Sequence, residues 1–310
     1  MTDLVVGVDG GGSKTRVIVA DASGEALADV TGPGSAMAPG RADHSAGVIG
    51  ALVQDAMSQV AVKGIKARAL VAGVAGVGRA HENRALTAAL EDLELADEIA
   101  VEGDGEIALT DAFGFGPGVI LISGTGSIAY GRGPSRVLAR AGGWGPAFGD
   151  EGSGAWIGRK ALAIVASAAD GREPATALTG AILTAAQVNE PSELIPWGIA
   201  AKPNEMAALA PVVFNAASAG DVRANALVGL AVEELVLHIR ALALKLFMDD
   251  RAAVPVAFSG GLMQKGSLLR KRLEHRLKSA VPGAQVRAGE IIAARGAVKS
   301  ALALAGIDSV

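Results

Sequence analysis

The residues best suited to chemistry lie near the start of the chain, where Asp9 is followed by Gly10, Gly11, Gly12, Ser13, Lys14 and Thr15. Valine-rich stretches on both sides predict strand, turn and strand. Three consecutive glycines suit a backbone that comes very close to a ligand, and the N–H groups of such a turn form an anion-binding concavity. We therefore predict that this turn binds phosphate, with Asp9 at the strand end facing a metal ion. A flexible hairpin without a ligand is the alternative interpretation.

A second turn of this kind follows the apolar stretch 118–123. It consists of Gly124, Thr125, Gly126 and Ser127, and a further strand is predicted over 128–132. A third strand-to-glycine turn, Ser259-Gly260-Gly261, follows the apolar stretch 254–258. The order of strand, glycine and hydroxyl turn, and strand thus occurs in each half, which predicts an internal topological repeat with a boundary near 114–117. Two phosphate-binding turns, one in each half, could face each other across a cleft.

Two common phosphate motifs do not account for these turns. A Walker A loop requires lysine directly after glycine, whereas Lys14 follows Ser13. The stretch 124–129 matches GxGxxA, but the glycines and proline at 131–134 exclude the helix that a dinucleotide site requires. These departures disfavour a nicotinamide enzyme.

The elements that must position the first turn follow from hydrophobic periodicity. The first half predicts β-β-β-α-β-α-β-α, including an amphipathic helix over 44–62 that Lys63-Gly64 ends. Ligands of open α/β sheets collect at strand ends. We therefore expect three loops at one edge of the sheet: Gly10–Thr15, Gly73–Gly78 and Gly103–Gly105.

The second half predicts a similar sheet with more helices. A glycine-dense loop over 142–153 precedes a helix over 154–169, and Asp150 is placed where it can cap that helix. The region 171–220 is predicted to be mainly helical, and one long helix is predicted over 221–248.

Composition narrows the class of protein. The 310 residues are half hydrophobic, include no cysteine and carry a net charge of −4. Disulfides, thiolate metal sites and cysteine nucleophiles are therefore excluded, and a nucleic-acid surface is disfavoured. The chain start lacks a signal-peptide pattern and no apolar run reaches about 18 residues, so we expect a cytoplasmic location. The four histidines are scattered without metal-ligand spacing.

Taken together, the turns resemble those of the N-acetylglucosamine kinase group of the BadF/BadG/BcrA/BcrD ATPases, within the superfamily of sugar kinases, chaperones and actin. The resemblance spans nearly the whole chain in family order, and it is carried by Gly7–Thr15, Ile122–Ser127, Gly142–Gly145 with Gly149–Ser153, and Ser259–Gly261. It implies an α/β fold with two ribonuclease-H-like domains, 1–115 and 116–310, around a central nucleotide cleft. The last predicted helix, over 291–305, could pack back on the N-terminal domain. The family also implies ATP and Mg²⁺, and transfer of the γ-phosphoryl group to the 6-hydroxyl of an amino sugar.

The family pattern implies roles for single residues. Asp104, after the fifth predicted strand, matches the catalytic base, and a simple turn carboxylate is the alternative. Asp9 would hold Mg²⁺ through water. The implied ATP contacts are the two turns Gly10–Thr15 and Gly124–Ser127, with Ala207 near the adenine and Ser259, Gly260 and Gly261 on the nucleotide side. The implied sugar contacts are Ser35, Ala75, Gly76, Asp104, Gly143, Trp144, Gly145 and Asp150.

Departures from the family leave the acceptor open. Many relatives have asparagine where Ser35 stands, and Ala75-Gly76 lacks a hydroxyl that some relatives use. N-acetylglucosamine, glucosamine and other hexose or muramic-type sugars are therefore alternatives, and Trp144 could either stack on the sugar or anchor the core. A non-catalytic ATP-binding switch is the competing class, although such a switch has no reason to carry the block 142–153.

Partners follow from the same resemblance. Branches of the family that activate dehydratases or reductases bind an iron–sulfur cluster through cysteines, and this chain has none. An amino-sugar substrate is the expected ligand, without a nucleic-acid or membrane partner. Homodimers are common in the family, which makes self-association a hypothesis for this chain.

Overall fold

The computed structural model describes residues 3–60, 66–247 and 253–307. The chain divides into two compact units, one of Met1–Gly116 with Glu290–Val310 and one of Pro117–Gly289. The first unit is thus built from both ends of the chain, and the second from one continuous segment. The helix end expected at Lys63-Gly64 lies outside the described residues.

The first unit contains a five-stranded mixed sheet. Its strands are β1 (Val5–Gly10), β2 (Lys14–Ala20), β3 (Ala26–Pro33), β4 (Ala67–Val74) and β5 (Ala96–Gly103). Their order in the sheet is β3-β2-β1-β4-β5. β1 to β3 form an antiparallel meander, and β4 and β5 join parallel to β1. This is the β-β-β-α-β-α-β order that the sequence predicts.

Helices cover both faces of this sheet. They are α1 (Ala42–Gln59), α2 (Ala80–Glu91), α3 (Asp104–Phe113) and, numbered in chain order, α11 (Ala293–Leu304). Alternate residues of β1 serve the two faces, as period-2 burial requires. Val6 and Val8 belong to the core that contains Ile49 of α1, whereas Val5 belongs to the core that contains Ala297 of α11.

The second unit contains a sheet of the same topology. Its strands are β6 (Gly118–Ser123), β7 (Ser127–Arg132), β8 (Leu138–Gly142), β9 (Val254–Ser259) and β10 (Ala284–Val286). The strand order is β8-β7-β6-β9-β10, which corresponds to β3-β2-β1-β4-β5 of the first sheet. The strand directions correspond as well, since β6 to β8 are antiparallel and β9 and β10 are parallel to β6. The predicted internal repeat and the α/β fold of two ribonuclease-H-like units are confirmed. β10 was not predicted, since Ala-Gln-Val is too short for a period-2 signal.

The second unit also carries the helical insertion. Its helices are α4 (Gly154–Ala169), α5 (Leu178–Ala186), α6 (Leu194–Ala200), α7 (Pro203–Ala207), α8 (Ala210–Ser218), α9 (Val222–Leu246) and α10 (Leu268–Ala280), with 3₁₀ turns at Pro191–Glu193 and Gly261–Met263. Asp221 caps α9, because its carboxylate accepts a hydrogen bond of 2.9 Å from the Ala224 N–H. Among the described helices, none is long and apolar enough to cross a membrane.

The contact of α11 with α3 depends on a glycine. A Cβ at Gly296 would overlap the Ile107 carbonyl oxygen and lie 2.8 Å from the Asp111 nitrogen, and both atoms are rigid helix backbone. We expect Gly296→Ala to lower the free energy of unfolding by about 1–3 kcal/mol, because the two helices must separate.

The matched control is Gly47→Ala, since Gly47 lies in α1 of the same unit and a Cβ there meets nothing within 4 Å. That variant should gain about 0.5–1 kcal/mol, because alanine lowers the entropy of the unfolded chain. Urea unfolding of both variants measures the difference. Equal midpoints would mean that α11 does not pack tightly on α3.

Candidate active site

The parallel strands of the first unit bring the predicted loops to one sheet edge. Gly10 at the end of β1 pairs with Val74 at the end of β4, and Val74 pairs with Gly103 at the end of β5. Lys14 and Pro33 pair at the same edge. The expected convergence of the three loops is therefore confirmed, and the loop after β3 joins them.

The first glycine turn uses glycine for space rather than for turn conformation. None of Gly10, Gly11 and Gly12 has positive φ. A Cβ at Gly10 would lie 2.5 Å from Ser35 Oγ, and a Cβ at Gly34 would lie 2.6 Å from the Gly12 carbonyl carbon. Side chains at Gly10 and Gly34 would thus push the loop after β3 away from the turn.

Backbone hydrogen bonds fasten three loops together at this edge. The Gly11 carbonyl accepts from the N–H groups of Ser35 and Ala36, both at 3.1 Å. The Ala75 N–H donates to the Gly10 carbonyl at 2.9 Å, and the Ala75 carbonyl accepts from the Met37 N–H at 2.8 Å. The positions of these loops are therefore fixed by the strands that they follow.

The tip of the turn remains open to a ligand. Gly12, Ser13 and Lys14 are exposed, and a Cβ at Gly12 would meet nothing within 4 Å. Within the described residues, the N–H groups of Gly12 and Ser13 donate no hydrogen bond. Exposed N–H groups beside a lysine provide what a phosphate group needs.

Ser35 and Gly76 lie against the neighbouring loops. Ser35 is buried, and its Oγ accepts a hydrogen bond of 2.8 Å from the Thr15 hydroxyl. Gly76 has a φ of +91°, and a Cβ there would collide with the Met37 carbonyl oxygen. Ser35 therefore supports the first glycine turn through its hydrogen bond with Thr15.

Two carboxylates stand at the carboxyl ends of β1 and β5. Asp9 is the residue before the end of β1, and Asp104 opens α3 directly after β5. Asp104 Oδ1 accepts a hydrogen bond of 2.9 Å from the Gly105 N–H, and the helix N-terminus favours its negative charge. Burial raises the pKa of the Asp9 carboxyl, repulsion by Asp104 raises it further, and Lys14 and Arg16 oppose the shift. An apposed pair of carboxylates with this electrostatic cost is suited to a bound cation.

In the second unit, the turn Gly124–Ser127 is held by hydrogen bonds to the start of α4 and to the loop before it. The Gly124 carbonyl accepts from the Gly154 N–H at 2.8 Å, and the Thr125 carbonyl accepts from the Ala155 N–H at 3.2 Å. The Ser127 hydroxyl donates to the Glu151 carbonyl at 2.6 Å. The first N–H groups of α4 are thus used to hold the turn, while Thr125 is exposed.

The third turn packs beside the second. Ser259 of β9 pairs with Ile122 of β6, so the two strands end at one edge. Gly260 has a φ of +95°, and a Cβ there would lie 2.7 Å from the Ser123 carbonyl carbon. Only glycine allows this close contact of the two turns.

The loop after β8 is shaped by glycines in the left-handed region. Gly142, Gly143 and Gly145 have φ values of 71°, 68° and 88°. A Cβ at Gly142 would collide with the His238 ring of α9, and a Cβ at Gly143 would collide with the Ile128 side chain. The loop therefore lies directly on the elements beneath it.

Asp150 links this loop to the second turn. It is buried, its Oδ1 accepts a hydrogen bond of 3.0 Å from the Gly145 N–H, and its Oδ2 lies 2.8 Å from where a Gly126 Cβ would stand. The prediction that Asp150 caps α4 was wrong, since the cap is Ser153, whose Oγ accepts from the Trp156 N–H at 3.2 Å. The left-handed φ of 56° at Asp150 turns the chain before the helix begins.

Trp144 is an exposed residue rather than a core anchor. Its side chain is 61% exposed, and the Arg140 guanidinium carbon lies 4.5 Å from the ring centroid. Arg140 Nη1 also donates to the Gly142 carbonyl at 2.8 Å. Arg140 was not singled out from the sequence; its place two residues before a glycine-rich loop was the available signal.

Ala207 lies next to the second turn. Its Cβ would be 2.9 Å from a Cβ at Gly154, the residue whose N–H holds the Gly124 carbonyl. Within the second unit, the structure thus brings Ala207, Gly124–Ser127, Ser259–Gly261 and Asp150 into one neighbourhood. Within the first unit, it brings Asp9, Gly10–Thr15, Ser35, Ala75-Gly76 and Asp104 to one sheet edge.

Two sheets of the same order, each with a glycine and hydroxyl turn after its first strand, define the actin-like ATPase class of fold. Comparison with known proteins makes the assignment more specific. The model of the BadF/BadG/BcrA/BcrD ATPase family matches residues 6–301. The chain belongs to this family, whose members use ATP.

Individual relatives extend over nearly the full chain. An N-acetyl-D-glucosamine kinase from Dictyostelium discoideum is 29% identical over 297 residues, covering 92% of this chain and 93% of that protein. An N-acetylmuramic acid/N-acetylglucosamine kinase from Clostridium acetobutylicum is 30% identical over 298 residues, covering 95% and 96%. The crystal structure of a proposed N-acetylglucosamine kinase from Chromobacterium violaceum matches with a TM-score of 0.75 and 32% identity, covering 96% of this chain and 98% of that one.

Proposed function

We propose that the chain is an ATP-dependent amino-sugar kinase that phosphorylates the 6-hydroxyl of N-acetylglucosamine. The observation that carries the proposal is the position of Asp104 at the sheet edge that also holds Asp9 and the open turn Gly10–Thr15. The two kinases from Dictyostelium discoideum and Clostridium acetobutylicum support the choice of an N-acetylated amino sugar.

Phosphoryl transfer requires positioning and charge neutralisation more than covalent chemistry. In our proposal the N–H groups of Gly10–Thr15 and Gly124–Ser127 bind phosphate oxygens of ATP, with Lys14 as a positive charge. Ala207 and Ser259–Gly261 contact the nucleoside side. Two observations support this assignment: the N–H groups of Gly12 and Ser13 donate no hydrogen bond within the described residues, and Thr125 is exposed.

Asp9 is the residue that would hold Mg²⁺. Its carboxylate is electrostatically unfavourable without a cation, given its burial and the repulsion from Asp104. Among the described residues, no group of three or more His, Asp or Glu side chains is placed to coordinate a metal ion. That fits Mg²⁺ held by one carboxylate through water and by the phosphates, since the ion keeps several waters. Bound there, Mg²⁺ would neutralise charge on the transferred group.

Asp104 would act as the general base. The sugar 6-oxygen forms a bond to the γ-phosphorus as the bond to the β,γ-bridging oxygen breaks and ADP leaves. The Asp104 carboxylate accepts the hydroxyl proton as this occurs. The sugar itself would be held by Ala75, Gly76, Gly143, Trp144, Gly145 and Asp150, with Ser35 setting the position of the first turn.

A coupled ADP-release assay tests the proposal across N-acetylglucosamine, glucosamine, N-acetylmuramic acid and glucose. We expect the highest kcat/KM with N-acetylglucosamine. A higher kcat/KM with N-acetylmuramic acid or glucosamine would contradict the proposed acceptor but would support the proposed kinase activity. ATP binding without turnover on any of the four sugars would favour the ATP-binding switch and overturn the proposal.

Trp144→Ala should raise KM for the sugar about tenfold and leave KM for ATP unchanged, because the indole ring is largely exposed and can stack on a sugar. Trp144→Phe should recover most of the loss. Ile199→Ala is the control, since Ile199 is also highly exposed in the second unit but lies on α6. An unchanged sugar KM in Trp144→Ala would remove this residue from the proposed site.

A further inference from the structure

The glycine-rich loop after β8 rests with both ends on one face of α9. A Cβ at Gly152 would lie 2.5 Å from the Leu235 Cγ and 2.9 Å from the Ala231 carbonyl oxygen, and a Cβ at Gly142 would collide with the His238 ring. Spacings of four and three residues align Ala231, Leu235 and His238 along the helix. All three are buried. The start of the loop therefore lies on a histidine, whereas its end lies on apolar residues.

The His238 ring is oriented by a hydrogen bond to its own helix. Its Nδ1 lies 2.8 Å from the Glu234 carbonyl oxygen. A carbonyl oxygen only accepts, so Nδ1 carries the proton of the neutral ring and Nε2 is the nitrogen that titrates. Nε2 lies beneath Gly142 and 3.9 Å from Glu151 Oε2, and it makes no hydrogen bond within the described residues. The titrating atom thus faces both ends of the loop.

Glu151 is the acidic group placed to pair with Nε2. Its side chain is 32% exposed, and its carboxylate has no other partner in the part of the chain that the structure describes. Its backbone carbonyl accepts the Ser127 hydroxyl at 2.6 Å, which ties Glu151 to the second glycine turn. The carboxylate of the neighbouring Asp150 is instead engaged with the Gly145 N–H at 3.0 Å. The charge on His238 therefore acts on one carboxylate that joins the loop to the turn.

Other ionisable groups on the surrounding elements do not compete for this nitrogen. Gly131 of β7 faces the leucines of α9, so strand alternation turns the ionisable side chains of β7 and β8 to the opposite face of the sheet; these are Tyr130, Arg132 and Arg140. Arg276 of α10 is bound to Glu233, and Lys160 of α4 lines a groove with Arg223 at the start of α9. On α9 itself, the Glu234 carboxylate stands one turn before His238 and has the same sign of charge as Glu151.

We propose that His238 is a positioning residue for the proposed sugar site, and that its imidazolium pairs with Glu151 to hold the two ends of the loop 142–151 together. The protonated Nε2 donates to the Glu151 carboxylate, which takes an approach of about 1 Å from the separation of 3.9 Å. The loop that carries Trp144 is then fixed at both ends. With the ring neutral, Nε2 presents a lone pair to the carboxylate, and this restraint is absent. The role in sugar binding rests on the proposed function, whereas the restraint on the loop does not.

Hydrogen exchange tests the restraint without sugar, ATP or turnover. Histidine is the residue type that changes charge between about pH 5 and 8. At about pH 6, the amides of 142–151 should exchange about tenfold faster in Glu151→Gln than in wild type, because the variant lacks a hydrogen bond between charged groups. At about pH 8.5 the two proteins should exchange equally. Equal exchange at the lower pH overturns the proposal, whether or not the chain is a kinase.

Kinetics with N-acetylglucosamine test the consequence for binding. His238→Gln and Glu151→Gln should each raise the sugar KM about tenfold over wild type at about pH 6 and leave it unchanged at about pH 8.5. The kcat at saturating sugar should change by less than about threefold, since the contact acts on binding. The double variant should be no worse than either single variant, because both substitutions remove one contact.

The control for these kinetics is His275→Gln, at an exposed histidine of α10 in the same unit, which should match wild type at both pH values. Additive losses in the double variant, or losses that do not depend on pH, contradict the pairing of His238 with Glu151. Turnover with none of the tested sugars, while the exchange difference persists, overturns the proposed kinase function and supports the restraint on the loop.

Discussion

Asp104→Ala should lower kcat by about 1000-fold and leave the affinity for ATP nearly unchanged. The loss of kcat follows because general bases contribute about 100- to 10,000-fold to the rate. The affinity for ATP should be spared because Asp104 begins α3 after β5, and β4 separates β5 from β1, which carries the glycine turn. Kinase turnover and calorimetric titration with a non-hydrolysable ATP analogue measure the two effects separately. Asp104→Asn should be equally impaired, since the amide keeps the shape but cannot accept the proton.

The control for this loss is Asp55→Asn, which removes one carboxylate from an exposed position of α1 in the same unit. It should retain full turnover. A pH profile adds a second reading, because the acid limb of kcat/KM in the wild type reports the base in the free enzyme. If Asp104→Ala keeps more than about a tenth of the wild-type kcat, the base must be sought elsewhere.

Asp9→Asn should lower Mg²⁺-dependent turnover by about 100-fold or more. The same substitution should stabilise the folded protein. The gain follows from the raised pKa of Asp9, which burial and Asp104 cause. A carboxyl whose pKa is raised by folding stabilises the folded state while it is protonated. This stabilisation is complete at pH values below its ordinary pKa of 3.8. It is lost as the pH rises through the pKa of the folded state. Asparagine carries no charge and avoids the loss.

The stability difference between Asp9→Asn and wild type should therefore grow as the pH rises above 3.8 and then level off. Thermal unfolding at a series of pH values measures it, with Asp55→Asn as the matched acid-to-amide control. Mg²⁺ with an ATP analogue should raise the Tm of the wild type and have little effect on Asp9→Asn. A variant that is less stable than wild type at neutral pH would contradict the assigned electrostatic cost.

The arrangement of the strands could be read from the sequence because period-2 burial and glycine turns are local signals. The antiparallel meander, the parallel strands that follow and the repeat in the second half all depend on such signals, and each is present. β10 could not be predicted, since three residues of edge strand are specified by their neighbour β9 rather than by their own pattern.

The sequence predicted which turns and carboxylates lie near each other within each unit, but it predicted less of their geometry. Asp150 stands before a helix with a residue type that favours caps, yet the cap is Ser153. The deciding factor is the left-handed turn at Asp150, which depends on tertiary contacts to Gly145 and Gly126. The contact of Arg140 with Trp144 likewise joins residues on either side of a loop whose path the sequence does not specify.

The helix α11 has a consequence for biosynthesis. It supplies Ala294, Ala297, Val298 and Ala301 to the core beneath β1 and β4, and Gly7 is bare because the backbone of α11 lies against it. When residues 1–289 have been synthesised, the whole second unit has been made but the first unit still lacks α11. The sheet formed by the first strands is therefore covered late, and the sheet edge with Asp9 and Asp104 gains the support of α11 only after residues 293–304 have been made.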